Sequence, residues 1–147
     1  MVDWKRTALA CLVALAVQAA WAAEEAGVVK TRKGNVSIER SGQSVEATVG
    51  TRIFSSDRVI TGADSSVGIT LHDNTVLSAG PNSTVDLNKF AFNSTTHTGA
   101  IDASVKRGTV SVISGKIAKA SPETVSFTAP GMTLGVRGTS FVIDAGQ

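Results

Sequence analysis

The sequence predicts an all-β fold in a single domain of many short strands, wound as a twisted β-solenoid-like roll or a small sandwich of jelly-roll type. Three observations carry that expectation. From residue 23 onward the chain has 15 Val, 8 Ile and 15 Thr against 4 Leu, and branching at Cβ crowds a helical turn but packs well on a pleated surface. Apolar residues recur at every second position in Val36/Ile38, Val67/Ile69/Leu71, Val85/Leu87, Ile101/Ala103/Val105, Val110/Val112 and Val125/Phe127, the spacing of strands with one face in and one face out. Turn-forming residues punctuate the chain at close intervals, and strands spaced about 8 to 12 residues apart mean a sandwich, barrel or solenoid rather than βαβ units.

Residues 1–22 stand outside that fold. Lys5 and Arg6 give a positive start, Thr7 to Ala20 is apolar apart from Gln18, and Ala20-Trp21-Ala22 offers small residues where a signal peptidase reads. The expectation is a Sec-type signal peptide cut after Ala22, with periplasmic or secreted destination and no stable membrane insertion after cleavage. A retained span is disfavoured, because the apolar run is shorter than the roughly 20 residues a helix needs to cross. Lipid attachment at Cys11 is disfavoured because the run continues past it through Val17. The one Cys and both Trp residues fall in this leader and Tyr is absent, so the mature chain makes no disulfide, thiolate nucleophile or Cys-ligated metal site. Its basic and acidic residues nearly balance, which predicts no general attraction to polyanions.

Residues 23–44 are expected to supply N-terminal strands or a lead-in, and 45–144 the β domain. Asp73-Asn74 fits a tight hairpin turn, since Asp and Asn tolerate positive φ. In Gly80-Pro81-Asn82-Ser83 the proline presets φ for a turn. Asn93 to Gly99 has nothing apolar to bury and is expected as an exposed, mobile loop. No apolar 3,4 spacing supports a helix; only Ser114 to Ser121 is ambiguous, and Gly115 weakens it. No long internal repeat shows, only a strand-turn rhythm.

The markers of catalysis are missing. There is no G-x-S-x-G or S-x-x-K, and His72 and His97 lack metal-pair spacing. His72 beside Asp73 resembles a base with its orienter, but neighbours on a strand point to opposite faces. Scattered carboxylates such as Asp57, Asp64, Asp73 and Asp86 lie at strand ends and turns. Glycine spacing fits neither phosphate-loop pattern. The expectation is no catalytic, metal or cofactor site and no cofactor. Lys106, Arg107, Lys116 and Lys119 put four positive charges within 14 residues with no carboxylate among them. They suit an anionic partner, such as a lipid head group or acidic protein surface, or more plainly an exposed sheet edge guarded by Lys. No aromatic accompanies them, which argues against nucleic acid.

Three segments read together resemble the FecR domain, a bacterial extracytoplasmic module: Val49-Gly50 with Ser56-Asp57-Arg58-Val59-Ile60-Thr61-Gly62; Val67 to Thr75 with Gly80-Pro81-Asn82-Ser83; and Lys106-Arg107-Gly108 to Gly115-Lys116 with Phe127-Thr128-Ala129-Pro130 and Gly135-Val136-Arg137-Gly138-Thr139-Ser140-Phe141. Together they cover most of Val45 to Ile143. The chain departs from the family pattern at Ser56, Asn74, Ala129 and Ser140. The resemblance implies an all-β domain without catalytic machinery, with Asp57, Thr61, Gly62, Asp73, Asn74, Pro130, Arg137, Gly138 and Thr139 as structural motif residues. With five guanidinium donors, Arg137 is expected to clamp the last strand to nearby turn carbonyls.

The family's best-known members span the inner membrane, controlling a sigma factor and sensing a receptor. With six residues ahead of its apolar run and nothing beyond Gln147 for a receptor-facing domain, this chain is expected to be a stand-alone exported module. It would be non-enzymatic and bind another envelope protein through loops or a strand edge. Two other classes remain: a cell-envelope glycan-binding protein, disfavoured by the scarcity of aromatics to stack on sugars, and a small carboxylate-dependent hydrolase.

Overall fold

The computed structural model describes residues 24–135 and 140–146. The chain lays down β1 (Glu25–Lys33), β2 (Val36–Arg40), β3 (Gln43–Glu46), β4 (Arg52–Phe54), β5 (Arg58–Thr61), β6 (Ser66–Leu71) and β7 (Val76–Ala79). It continues through β8 (Thr84–Phe92), β9 (Gly99–Arg107), β10 (Thr109–Ile113), the helix α1 (Lys116–Ala120), a 3-10 turn over Pro122–Thr124, β11 (Val125–Ala129), β12 (Met132–Gly135) and β13 (Ser140–Asp144). One sheet has the order β13-β10-β7-β6-β1-β4 and the other β12-β11-β9-β8-β5-β2-β3. Pairing is antiparallel except between β9 and β11. A parallel pair needs a long crossover, and here it runs through β10 and α1.

Successive strands pass back and forth: β1 in the first sheet, β2 and β3 in the second, β4 back in the first, β5 in the second, and so on to β13. The result is a two-sheet roll with open edges rather than a closed barrel. Every residue of the six alternating runs singled out from sequence is buried. Both sheets feed one apolar cluster, in which each fully buried Val, Ile, Leu or Phe contributes about 1.5–3 kcal/mol. A void of about 20 Å³ between Ile53, Ile69 and Val110 of one sheet and Val59, Val85 and Leu87 of the other is too small for a ligand. No helix among the described residues is long and apolar enough to cross a membrane.

Contrary to the sequence expectation, an internal repeat exists. Ser56 and Asn74, 18 residues apart, have φ of 73° and 70°; Asp64 and Asn82, again 18 apart, both have φ of 52°. Each left-handed residue is followed by a buried polar one: Asp57, Thr75, Ser65 and Ser83. Gly62-Ala63-Asp64-Ser65-Ser66-Val67 thus superimposes in pattern on Gly80-Pro81-Asn82-Ser83-Thr84-Val85. The contacts repeat too. Asn35 N–H donates to Ser65 Oγ and Gly62 N–H to Asn35 O; Thr109 N–H donates to Ser83 Oγ and Gly80 N–H to Thr109 O. Opposite each serine sits a left-handed glycine, Gly34 or Gly108, at which a Cβ would lie 2.4 or 2.2 Å from the Oγ.

Two further expectations need correction. The Ser114–Ser121 segment contains a helix after all, made by tertiary contacts rather than by periodicity. Ile117 is fully buried, and the amides of Lys116 and Ile117 are taken by Asp73 O at 2.7 Å and Asp73 Oδ2 at 3.2 Å. The second concerns Asp73-Asn74. The β6–β7 connection spans four residues and only Asn74 is left-handed, while Asp73, inside the turn that the Asn74 N–H closes on Leu71 O, directs its side chain inward to complete burial.

Candidate functional site

Asp57 is held by a fork. Ser56 in its left-handed conformation turns the chain so that Asp57, 1% exposed, points inward. Arg40 donates through Nε to Oδ1 at 2.9 Å and through Nη2 to Oδ2 at 2.8 Å, and the Phe54 amide adds a third bond to Oδ2 at 2.8 Å. Arg40 also donates to Arg52 O and lies over the Phe54 ring, 4.6 Å from its centroid. Hydrogen bonding to Asp57 raises the guanidinium pKa, against the opposing effect of burial. No sequence signal marks Arg40, whose partner is 17 residues away beyond the Ser41-Gly42 hairpin turn. Beside this corner Arg58 grips Asp86 through two bonds of 2.6 and 3.0 Å, which raise its pKa too. Glu39, Ser41, Arg58, Asp86 and Asn88 border an open polar depression of about 330 Å³ there.

The other motif positions lie at separate corners. Thr61 Oγ1 donates to Gly80 O at 2.6 Å and accepts from Ser83 N–H at 2.8 Å, while Gly62 accepts from Asn82 N–H. Asp73 accepts from Thr75 N–H, Thr75 Oγ1–H and Ile117 N–H, so both its oxygens are engaged, as are those of Asp57. Carboxylates bound this way hold strands together and have no oxygen turned to a substrate. Pro130-Gly131 closes the β11–β12 hairpin with Gly131 at φ 76°, the order a type II turn requires. Arg137, Gly138 and Thr139 lie outside the described residues, as does the leader, 1–22. His72 is exposed, with Nε2 3.5 Å from Glu25. Among the described residues, no group of three or more His, Cys, Asp or Glu side chains is placed to hold a metal ion.

The four basic residues are all exposed but are not one patch. Lys106 and Arg107 end β9, whereas α1, with Lys116 and Lys119, abuts the start of β9, where a Cβ on Gly99 would be 3.0 Å from Ile117 Cδ1. The seven residue steps from Gly99 to Lys106 span about 23 Å of strand. β11 pairs with Ile101 to Ser104 of β9, so the end of β9 that carries Lys106 and Arg107 extends past that neighbour, whereas Lys116 and Lys119 lie on α1 and on no sheet edge. Adjacency in sequence misleads here because the chain changes sheets at Gly108. The Asn93–Gly99 loop is exposed and closed on itself: Asn93 Oδ1 accepts from the amides of Thr95 and Thr96, and His97 stacks on Phe92.

A family model described as FecR protein matches residues 57–147, from β5 to the end of the chain. The chain belongs to the FecR family. The FecR match takes in Asp64, Asn74 and Asn82 of the repeat, starts one residue after Ser56, and covers the corners at Asp57, Thr61 and Asp73; the family is one of non-enzymatic cell-envelope signalling proteins. No curated protein and no solved structure matches the chain. The strands β1 to β4, which precede the FecR match, are nonetheless part of the same two sheets.

Proposed function

We propose that this FecR protein is an exported, non-enzymatic module that recognises another envelope protein through its strand edges and outer corners, in the periplasm or outside the cell. The observation that carries this reading is the disposition of its polar groups. The buried polar side chains Asp57, Asp73, Thr61, Ser65, Thr75 and Ser83 hydrogen-bond within the fold, Ser114 Oγ being the buried side-chain oxygen without a partner among the described residues, and the interior void is far below ligand size. Chemistry with the outside is left to the surface: unpaired main chain along the sheet edges, which can receive an extended partner segment, and the depression beside Asp57. On this reading the motif residues Asp57, Thr61, Gly62, Asp73, Asn74 and Pro130 shape the corners without touching the partner. Lys106 with Arg107, and Lys116 with Lys119, offer two separate basic spots at the rim.

Crosslinking in intact cells followed by identification of what co-purifies tests the proposal. An envelope protein captured reproducibly, and lost when an edge strand is altered, is the expected result. Retention of the chain in the cytoplasm, or capture of nothing from the envelope, would overturn it.

A further inference from the structure

Among the described residues, four strands bound the two sheets: β4 and β13 in one, β3 and β12 in the other. Natural proteins make such edges unattractive by keeping them short, charged, bulged or interrupted by Pro. Three of these edges follow that rule in length or charge: β4 has three residues including Arg52, β3 has four ending in Glu46, and β12 has four ending in Gly135. β13 is different. It is the longest of the four: its five residues, Ser140-Phe141-Val142-Ile143-Asp144, pair with β10 without a register shift, include no Lys, Arg or Pro, and carry one charge, Asp144, at the end.

The ladder fixes which groups of β13 face outward. Gly108 N–H donates to Gly146 O and Ala145 N–H to Gly108 O, both at 2.8 Å. The alternation of an antiparallel pair then directs the main chain of Phe141 and Ile143 to β10, and that of Ser140, Val142 and Asp144 away from the sheet. The side chains of these last three are exposed on the outer face. Val142 is 65% and Ile113 50% exposed, and they are diagonal neighbours, since Val142 sits opposite Ser111.

We propose that β13 pairs antiparallel with β13 of a second copy of this chain, about a two-fold axis at Val142. In that register Val142 meets Val142 of the second copy, and Ser140 meets Asp144 of the second copy on either side. A hydroxyl therefore faces each carboxylate, and the two Asp144 side chains are separated by about four residues of strand, roughly 14 Å. Centring the pair on Asp144 instead would set carboxylate against carboxylate, which is destabilising, and a one-residue slip would turn the wrong face outward. The favoured register makes about six main-chain hydrogen bonds, two for each opposed pair of this kind. It also joins the Val142 and Ile113 surfaces of both copies into one apolar strip. The inference does not rest on capture of an envelope protein.

Sedimentation velocity of the full chain recovered from cells, over about a hundredfold range of concentration, tests it through mass action. The wild type is expected to dimerise reversibly. Val142→Lys, which sets two ammonium groups at the axis, is expected to weaken association by about tenfold or more, the equivalent of about 1.4 kcal/mol. Val142→Pro removes only an outward N–H, a change edge strands tolerate, and is expected to do the same with an unchanged melting profile. Should the proline variant fail to fold, the lysine variant decides. A wild type that stays monomeric at every concentration, or a dimer indifferent to Val142→Lys, overturns the inference. A monomer that still captures an envelope protein overturns this pairing alone, and a Val142-dependent dimer that captures none leaves it standing while removing the proposed function.

Discussion

Asp57 is tenable in the interior because the Arg40 fork and the Phe54 amide replace the water it gives up. Replacing Arg40 by Gln leaves that carboxylate buried without its cation. Breaking a fully buried pair costs about 3–5 kcal/mol, but the Arg40 side chain is 37% exposed and water can partly take its place, so the expected loss is about 1–3 kcal/mol. The direction of the pKa shift fixes the pH behaviour. A base whose pKa is raised on folding contributes stability that is fully present below its unfolded pKa and is lost only as pH climbs through the folded value, which for Arg40 lies in strong alkali. The difference in unfolding free energy between wild type and Arg40→Gln is therefore expected to be the same at neutral and mildly alkaline pH, as urea titrations at the two conditions can check. A second residue-scale prediction separates backbone strain from crowding. Gly131→Ala introduces a side chain at φ 76° into open space and is expected to cost about 1–2 kcal/mol. Gly108→Ala meets the same strain at φ 80° and also drives a Cβ to 2.2 Å from Ser83 Oγ, so its loss in a thermal or urea melt is expected to be clearly larger.

At the scale of elements, the repeat makes Ser65 and Ser83 equivalent: each accepts the amide that follows a left-handed glycine, from Asn35 and Thr109 respectively. Ser65→Ala and Ser83→Ala each leave that amide unsatisfied, and losses of about 1–3 kcal/mol, similar to one another, are expected by urea unfolding; a cost at one serine and none at the other would contradict the equivalence. The helix α1 gives a different kind of prediction, because its first amides are held by Asp73 and its one buried anchor is Ile117. Asp73→Ala is expected to speed hydrogen exchange in Lys116–Ala120 while the central strands β6 and β8 stay protected. These elements were unequally legible in the sequence. The buried alternation of Val67/Ile69/Leu71 or Val110/Val112 could be read directly, because a strand's period is local. The Arg40–Asp57 fork, the inward turn of Asp73 and the helix could not, because each depends on a partner brought in by a change of sheet. The 18-residue repeat lay in view but hidden, since its signature is a left-handed residue filled once each by Ser56, Asp64, Asn74 and Asn82 rather than by one amino acid.

For the molecule as a whole, the FecR match begins at Asp57, but the physics of the fold begins earlier. β1 lies inside its sheet between β6 and β4, and β2 lies between β5 and β3. Ala26, Val29, Ile38 and Ile53 from this preceding part belong to the common core, and Arg40 holds Asp57 in place. Removing everything before Asp57 would leave β6 and β5 as new unpaired edges, expose the faces that Ile38 and Ile53 cover, and leave Asp57 buried without its cation. Losing four such side chains from the core subtracts several kcal/mol from a net stability that for domains of this size is only about 5–15 kcal/mol. The matched segment 57–147 alone is therefore expected to show no cooperative thermal transition and to bind a hydrophobic dye, whereas a chain beginning at Glu24 melts cooperatively. A sharp transition in the shorter chain would mean that β1 to β4 are an appendage, and that the two sheets close without them.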